Sequence, residues 1–170
     1  MPTYIIRAEL QGDETKIRTV NERAFEQADE ADLVDRLRTS GVSSISLVAS
    51  YDNDEILGHI LFTPVVLASG EPCRAMGLAP MSVLPDHQRQ GIGSDLVRHG
   101  LEECETAGID FVVVLGHPEF YPRFGFVTAA TKGLSCEYPV PEEAFMVREL
   151  RNGSLDSIEG LVLYRDELRG

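Results

Sequence analysis

The chain has 170 residues, 43% of them hydrophobic and 25% charged, which suits one globular domain over 1–170 with a continuous core and excludes wholesale disorder. Twenty-eight acidic residues against 15 basic ones leave a formal charge of −13, a field that repels nucleic acid and anionic membrane and attracts cations. No apolar run reaches the roughly 20 residues that span a bilayer, and Met1–Leu10, with Arg7 and Glu9 inside its apolar stretch, lacks the layout of a signal peptide.

Tyr4–Leu10 reads as a first strand. Asp13 is placed to cap a helix that carries Ile17, Val20 and Ala24 at helical spacing, with Phe25 beside them. A second helix starts near Asp29, buries Leu33, Val34 and Leu37, and stops at Gly41. Ser44–Tyr51 and Glu55–Val65 are apolar and β-branched, and the intervening Asp52-Asn53-Asp54 signals a hairpin. Met76–Val83 is a further strand, expected to be distorted or to end early on one side because of Pro80 and Pro85. A helix with Leu96, Val97, Leu101 and Cys104 on one face closes at Gly108. Phe111–Leu115 then reads as a strand buried on both faces. Pro118–Phe124 reads as a short helix, and Phe145–Leu150 and Gly160–Tyr164 as late strands. The order βααβββαβαββ is that of an α/β protein with a mixed sheet and helices on its faces.

Three widely spaced cysteines, Cys73, Cys104 and Cys136, form no Cys-x-x-Cys pair, and the four histidines are scattered. That pattern supports neither a disulfide framework nor a metal site, and it fits the reducing cytoplasm.

Gln88-Arg89-Gln90-Gly91-Ile92-Gly93-Ser94 lies between a strand and a helix. Glycines beside a helix N-terminus let backbone approach a ligand and leave N–H groups unpaired, which suits a phosphate. The alternative is that Gly91 and Gly93 only shape a tight turn. No Gly-x-x-x-x-Gly-Lys is present, and Gly91-Ile92-Gly93 is not followed by a third glycine at the dinucleotide offset. ATP and NAD are therefore not favoured.

Val83-x-Pro85-x-x-Gln88-x-x-Gly91-Ile92-Gly93 resembles the acetyl-CoA-binding motif of the GCN5-related N-acetyltransferases (GNAT), and Tyr121-Pro122-Arg123-Phe124-Gly125-Phe126 is similar to the family's Tyr-x-x-x-Gly-Phe signature. The two motifs stand in the family's order, separated by a helix and an apolar strand. The segments Ala24–Arg38 and Gly58-His59-Ile60-Leu61-Phe62 resemble a bacterial subgroup of predicted acetyltransferases. The resemblance implies a GNAT fold with a splay between strands 4 and 5, acetyl-CoA as cosubstrate, and no metal. It assigns Met81, Ser82 and Val83 to the pantetheine arm and Gln88, Arg89, Gln90, Gly91, Ile92, Gly93 and Ser94 to the pyrophosphate.

By the same resemblance Tyr121 is the acid that protonates the departing CoA thiolate; a phenol held close can do this. The alternative is a tyrosine packed as core with Phe120, Phe124 and Phe126. Where many relatives carry an asparagine, this chain has Val114. His117 is then the available base, although a histidine before Pro118 also reads as a turn residue. His59, within an apolar strand, reads as a satisfied core histidine, and His87 and His99 as surface residues. The implied acceptor is a primary amine, on a small molecule or on a protein or peptide. The acidic Glu26–Asp32 either receives an ammonium or is a solvated helix start. The resemblance also allows a homodimer. Two other readings stay open: transfer from another short acyl-CoA, and a noncatalytic acyl-CoA-binding regulatory module.

Overall fold

The computed structural model describes residues 3–169. The elements run β1 (Ile5–Ala8), α1 (Glu14–Phe25), α2 (Asp29–Ser40), β2 (Ile45–Ser50), β3 (Ile56–Leu67), β4 (Ala75–Val83), α3 (Ile92–Thr106), β5 (Phe111–Leu115), β6 (Val127–Thr128), β7 (Leu134–Cys136), β8 (Phe145–Glu149) and β9 (Gly160–Leu163). The chain divides into two compact units: the residues up to Phe62 with Pro80–Gly100, and Thr63–Ala79 with the residues from Leu101 on.

In the first unit the strands follow the order β1-β2-β3-β4. β1 is antiparallel to β2, and β2 to β3, through the hairpin expected at Asp52–Asp54, where Asp54 takes the left-handed φ of 64°. α1 buries Ile17 and Val20, and α2 buries Ala31, Val34 and Leu37, with Leu33 only half-buried. Arg18 of α1 reaches α2 at Asp32 (2.8 Å) and Asp35 (2.7 Å). The start of α3 packs on β3. A Cβ on Gly58 would lie 3.0 Å from Leu96 Cδ1, and one on Gly100 2.5 Å from Phe62 Cζ.

In the second unit the order is β4-β5-β8-β6, with β9 pairing β3 and β7. The β4–β5 ladder is parallel and runs from Ala75↔Phe111 to Leu78↔Val114, while β4 itself continues to Val83. β5 and β6 are antiparallel to β8. Phe111, Val113, Phe145, Val147, Leu134 and Val162 belong to one apolar cluster. The continuous run Phe111–Val114 is buried throughout, as expected of a strand covered on both faces.

Several expectations need correction. Asp13 precedes α1 but makes no side-chain cap; its carboxylate accepts from Arg7 Nη1 (2.8 Å) and from the Leu10 N–H (2.8 Å) instead. For β4 the expectation holds: the strand runs through Pro80 to Val83, but on one side it ends early, the ladder to β5 stopping at Leu78, two residues before the proline. Pro118–Phe124 is not an α-helix but a single 3-10 turn over Tyr121–Phe124, where Pro122 and Gly125 leave no room for propagation. β6 and β7 were not expected, because strands of two and three residues carry no readable alternation.

Among the described residues no helix is long and apolar enough to cross a membrane, and no group of three His, Cys, Asp or Glu side chains is placed to hold a metal. All three cysteines are free thiols; burial pushes the Cys104 thiol up to about 12 and also raises Cys73 and Cys136.

Candidate active site

Met81–Val83 and Gln88–Ser94 lie together in the first unit. Ser82 and Val83 bury their side chains, so toward any ligand they can offer only backbone groups. After Val83 the Leu84 N–H donates to Leu57 O (2.8 Å), and Pro85–His87 form one 3-10 turn. The chain is then extended at Gln88 (φ −70°, ψ 157°), left-handed at Arg89 (φ 63°) and left-handed again at Gly91 (φ 91°). A non-glycine residue in that region is uncommon and costs about 1–2 kcal/mol.

The Asp95 N–H makes an early helical bond, to Gly91 O (3.0 Å). The N–H groups of Ile92, Gly93 and Ser94 therefore precede any intrahelical acceptor, and the helix dipole adds positive potential at the same place. This arrangement suits an anion without basic side chains. The seven loop residues divide by what they can do. Gln88 Nε2–H donates to Val83 O (3.0 Å) and braces the loop against the end of β4, and Gln90 reaches back to Asp86 O (3.4 Å). Ile92 is buried, leaving its N–H. Arg89 is exposed. Gly91 is required by its φ, since a Cβ there meets nothing within 4 Å. At Gly93 a Cβ would meet Met81 Sδ and Cε at 3.4 Å, an ordinary contact. Asp95, which would repel an anion in the first turn of α3, is engaged by the Tyr4 hydroxyl.

Tyr121 lies in the second unit. His117 O accepts from the Phe120 N–H (3.1 Å) and the Tyr121 N–H (3.4 Å), and the turn ends at Gly125 (φ 88°), whose N–H donates to Pro122 O (3.0 Å). The Tyr121 ring packs edge-on against Phe120 and Phe126, with centroids 5.0 and 5.6 Å apart. The ring is packed as core, and burial pushes its hydroxyl up to about 12. At neutral pH the phenol is protonated, a donor and not a base. His117 is exposed and serves the turn through its carbonyl.

Two residues that hold this turn were not singled out from the sequence. Arg148 of β8 donates from Nε to Phe124 O (3.1 Å) and fills the space a Gly125 Cβ would need (2.7 Å). Gly116 faces the phenol ring, where a Cβ would sit 2.9 Å from Tyr121 Cδ2. Their only sequence signal is the glycines themselves, because the partners come from other strands and loops.

Residues 6–129 match the family model of the acetyltransferase (GNAT) domain. The chain is 38% identical over 162 residues to the uncharacterized N-acetyltransferase YhbS of Escherichia coli strain K12, covering 95% of this chain and 96% of that one. The crystal structure of Escherichia coli YhbS in complex with CoA superposes with a TM-score of 0.95 at 36% identity, covering 100% of this chain and 94% of that one. A GNAT acetyltransferase from Brucella melitensis in complex with acetyl-CoA gives 0.82 at 34% identity over 99% of both chains. Since the strand–loop–helix and the tyrosine turn are set in a chain that matches these proteins from end to end, it belongs to the GNAT acetyltransferase family.

Proposed function

We propose that residues 1–170 act as one catalytic domain that transfers the acetyl group of acetyl-CoA to a primary amine by direct attack. The observation that carries this reading is the loop from Gln88 to Ser94, with left-handed Arg89 and Gly91 leading into the start of α3, whose first amides precede any intrahelical acceptor. It is supported by likeness to relatives at 34% and 36% identity whose structures hold acetyl-CoA and CoA. The amides of Gly91 to Ser94 take the pyrophosphate, and the backbone of Met81, Ser82 and Val83, where β4 runs on past its ladder with β5, pairs with the pantetheine arm. No metal enters the scheme. The three free thiols agree with a cytoplasmic site of action.

The amine attacks the thioester carbonyl as the neutral base, the tetrahedral intermediate collapses with cleavage of the C–S bond, and Tyr121 Oη gives its proton to the departing sulfur; the surplus proton on the amine nitrogen passes to solvent, from which the tyrosinate is reprotonated. A phenol at about 12 donating to a thiolate of ordinary pKa, about 8.5, is uphill by roughly 5 kcal/mol. A thiolate leaving into the same buried surroundings would be raised as well, which narrows that gap.

The test is CoA-thiol release from acetyl-CoA against a panel of amines, amino acids, polyamines and N-terminal peptides. Acceptor-dependent release is expected, and an absence of CoA binding by calorimetry defeats the reading. Tyr121→Phe should lower kcat by about 10²–10⁴-fold with CoA affinity nearly unchanged. Equal loss of both would make Tyr121 a packing residue.

A further inference from the structure

The first unit buries a chain of polar side chains that the transfer chemistry does not use. Ser82 Oγ–H donates to Asn21 Oδ1 (2.8 Å). Asn21 Nδ2 donates to Ile17 O (3.2 Å) and to His59 Nδ1 (3.3 Å), and both Asn21 and His59 have no exposed surface. Because the Asn21 amide must present Nδ2 to Ile17 O, the imidazole accepts at Nδ1 and carries its hydrogen on Nε2. Nε2–H then donates to Ser46 Oγ (2.9 Å), and Ser46 Oγ–H to Glu9 Oε1 (2.8 Å). Arg38 of α2 pairs with the same carboxylate (3.1 Å). Every donor in the chain points from β4 toward Glu9.

An amide at the centre does not pass protons as a hydroxyl or imidazole does, so the chain is poorly suited to remove the proton of an attacking amine. Its effect is geometric. Past Leu78 β4 has left its ladder with β5 and keeps β3 as its sheet neighbour, with α1 reaching it from outside the sheet. The Leu84 N–H bonds Leu57 O, Gly58 allows close approach to Ser82 O (3.0 Å from its would-be Cβ), and the Ser82 hydroxyl is held by Asn21. Ser82 sits between Met81 and Val83, so its side-chain bond ties the middle of the three to α1.

We infer that Asn21, oriented by His59, is a positioning residue for acetyl-CoA: through the Ser82 hydroxyl it presets the backbone of Met81–Val83 to receive the pantetheine arm. This inference rests on the CoA reading of β4.

Calorimetric CoA binding is compared for the wild type, Asn21→Ala, Ser82→Ala, the double variant, and Val20→Ala, a buried apolar truncation on the same face of α1. Asn21→Ala and Ser82→Ala should each weaken CoA about tenfold and raise KM for acetyl-CoA with kcat within about twofold. The double variant should be no weaker than either single one. Val20→Ala should lower the melting temperature and bind CoA as the wild type does. Unchanged CoA affinity in folded Ser82→Ala, the milder replacement, overturns the inference while leaving the CoA reading intact. So does equal weakening in Val20→Ala, which would mean general loosening. A wild-type chain that does not bind CoA removes both. The imidazole 15N spectrum should show Nε2–H at pH 6, and an Nδ1–H form would contradict the order of bonds.

Discussion

At Gly125 the backbone holds φ 88° in the space where Arg148 Nε reaches Phe124 O. Any side chain there must accept a left-handed conformation and displace the guanidinium. Gly125→Ala should destabilise the protein by about 1–3 kcal/mol, measured by denaturant unfolding; a change below about 0.5 kcal/mol would show that Arg148 moves aside freely. His59 makes a prediction of opposite kind. Burial and then the positive charge of Arg38 push its imidazole down to about 3, with Glu9 facing it through Ser46. The unfolded chain binds a proton near pH 6.5 and the folded chain does not, so its contribution is full above 6.5 and is lost as the pH falls toward 3. Stability should drop by about 1.4 kcal/mol per pH unit in that window, and His59→Gln should flatten the profile. Tyr121, Gly91 and Gly93 were legible in the sequence because short-range motifs place them. Asn21 was not, although an asparagine beside Ile17 and Val20 on the apolar stripe of a helix was a visible anomaly. Its partners, Ser82 and His59, lie 61 and 38 residues away in the chain, beyond any local pattern.

At the scale of the element, α3 was the most legible, since Leu96, Val97, Leu101 and Cys104 recur with helical period and all are buried. Yet its interior holds Gly100, which propensity alone would replace. Alanine there gains about 1 kcal/mol of helix propensity but puts a Cβ 2.5 Å from Phe62 Cζ. Overpacking of that kind costs about 1–3 kcal/mol, so Gly100→Ala should be net destabilising by thermal melting, and a gain in melting temperature would show that Phe62 relaxes at no cost. β4 was legible as a strand that ends early on one side, since its ladder to β5 stops at Leu78, just before Pro80. β6, β7 and the 3-10 form of the Tyr121 turn were not legible. They are too short for periodicity, and tertiary hydrogen bonds from β8, β9 and Arg148 specify them.

For the whole molecule, the charge of −13 acts through self-repulsion, which the ion pairs of Arg18 with Asp32 and Asp35 offset only locally at half-exposed positions. Moving from about 10 mM to 200 mM salt shortens the Debye length from roughly 30 to 7 Å. The melting temperature should rise over that range, and a fall would mean that the pairs outweigh the repulsion. The cysteines bear on how the enzyme can be watched. At pH 8 a thiol of ordinary pKa near 8.5 is about one quarter ionised, as the released CoA thiol would be. Cys104, at about 12, is ionised in roughly one molecule in ten thousand, and Cys73 and Cys136 are also shifted upward. A chromogenic disulfide reagent added to a working reaction would therefore meet a smaller ionised fraction on each protein thiol than on the CoA thiol that turnover releases, least of all on buried Cys104.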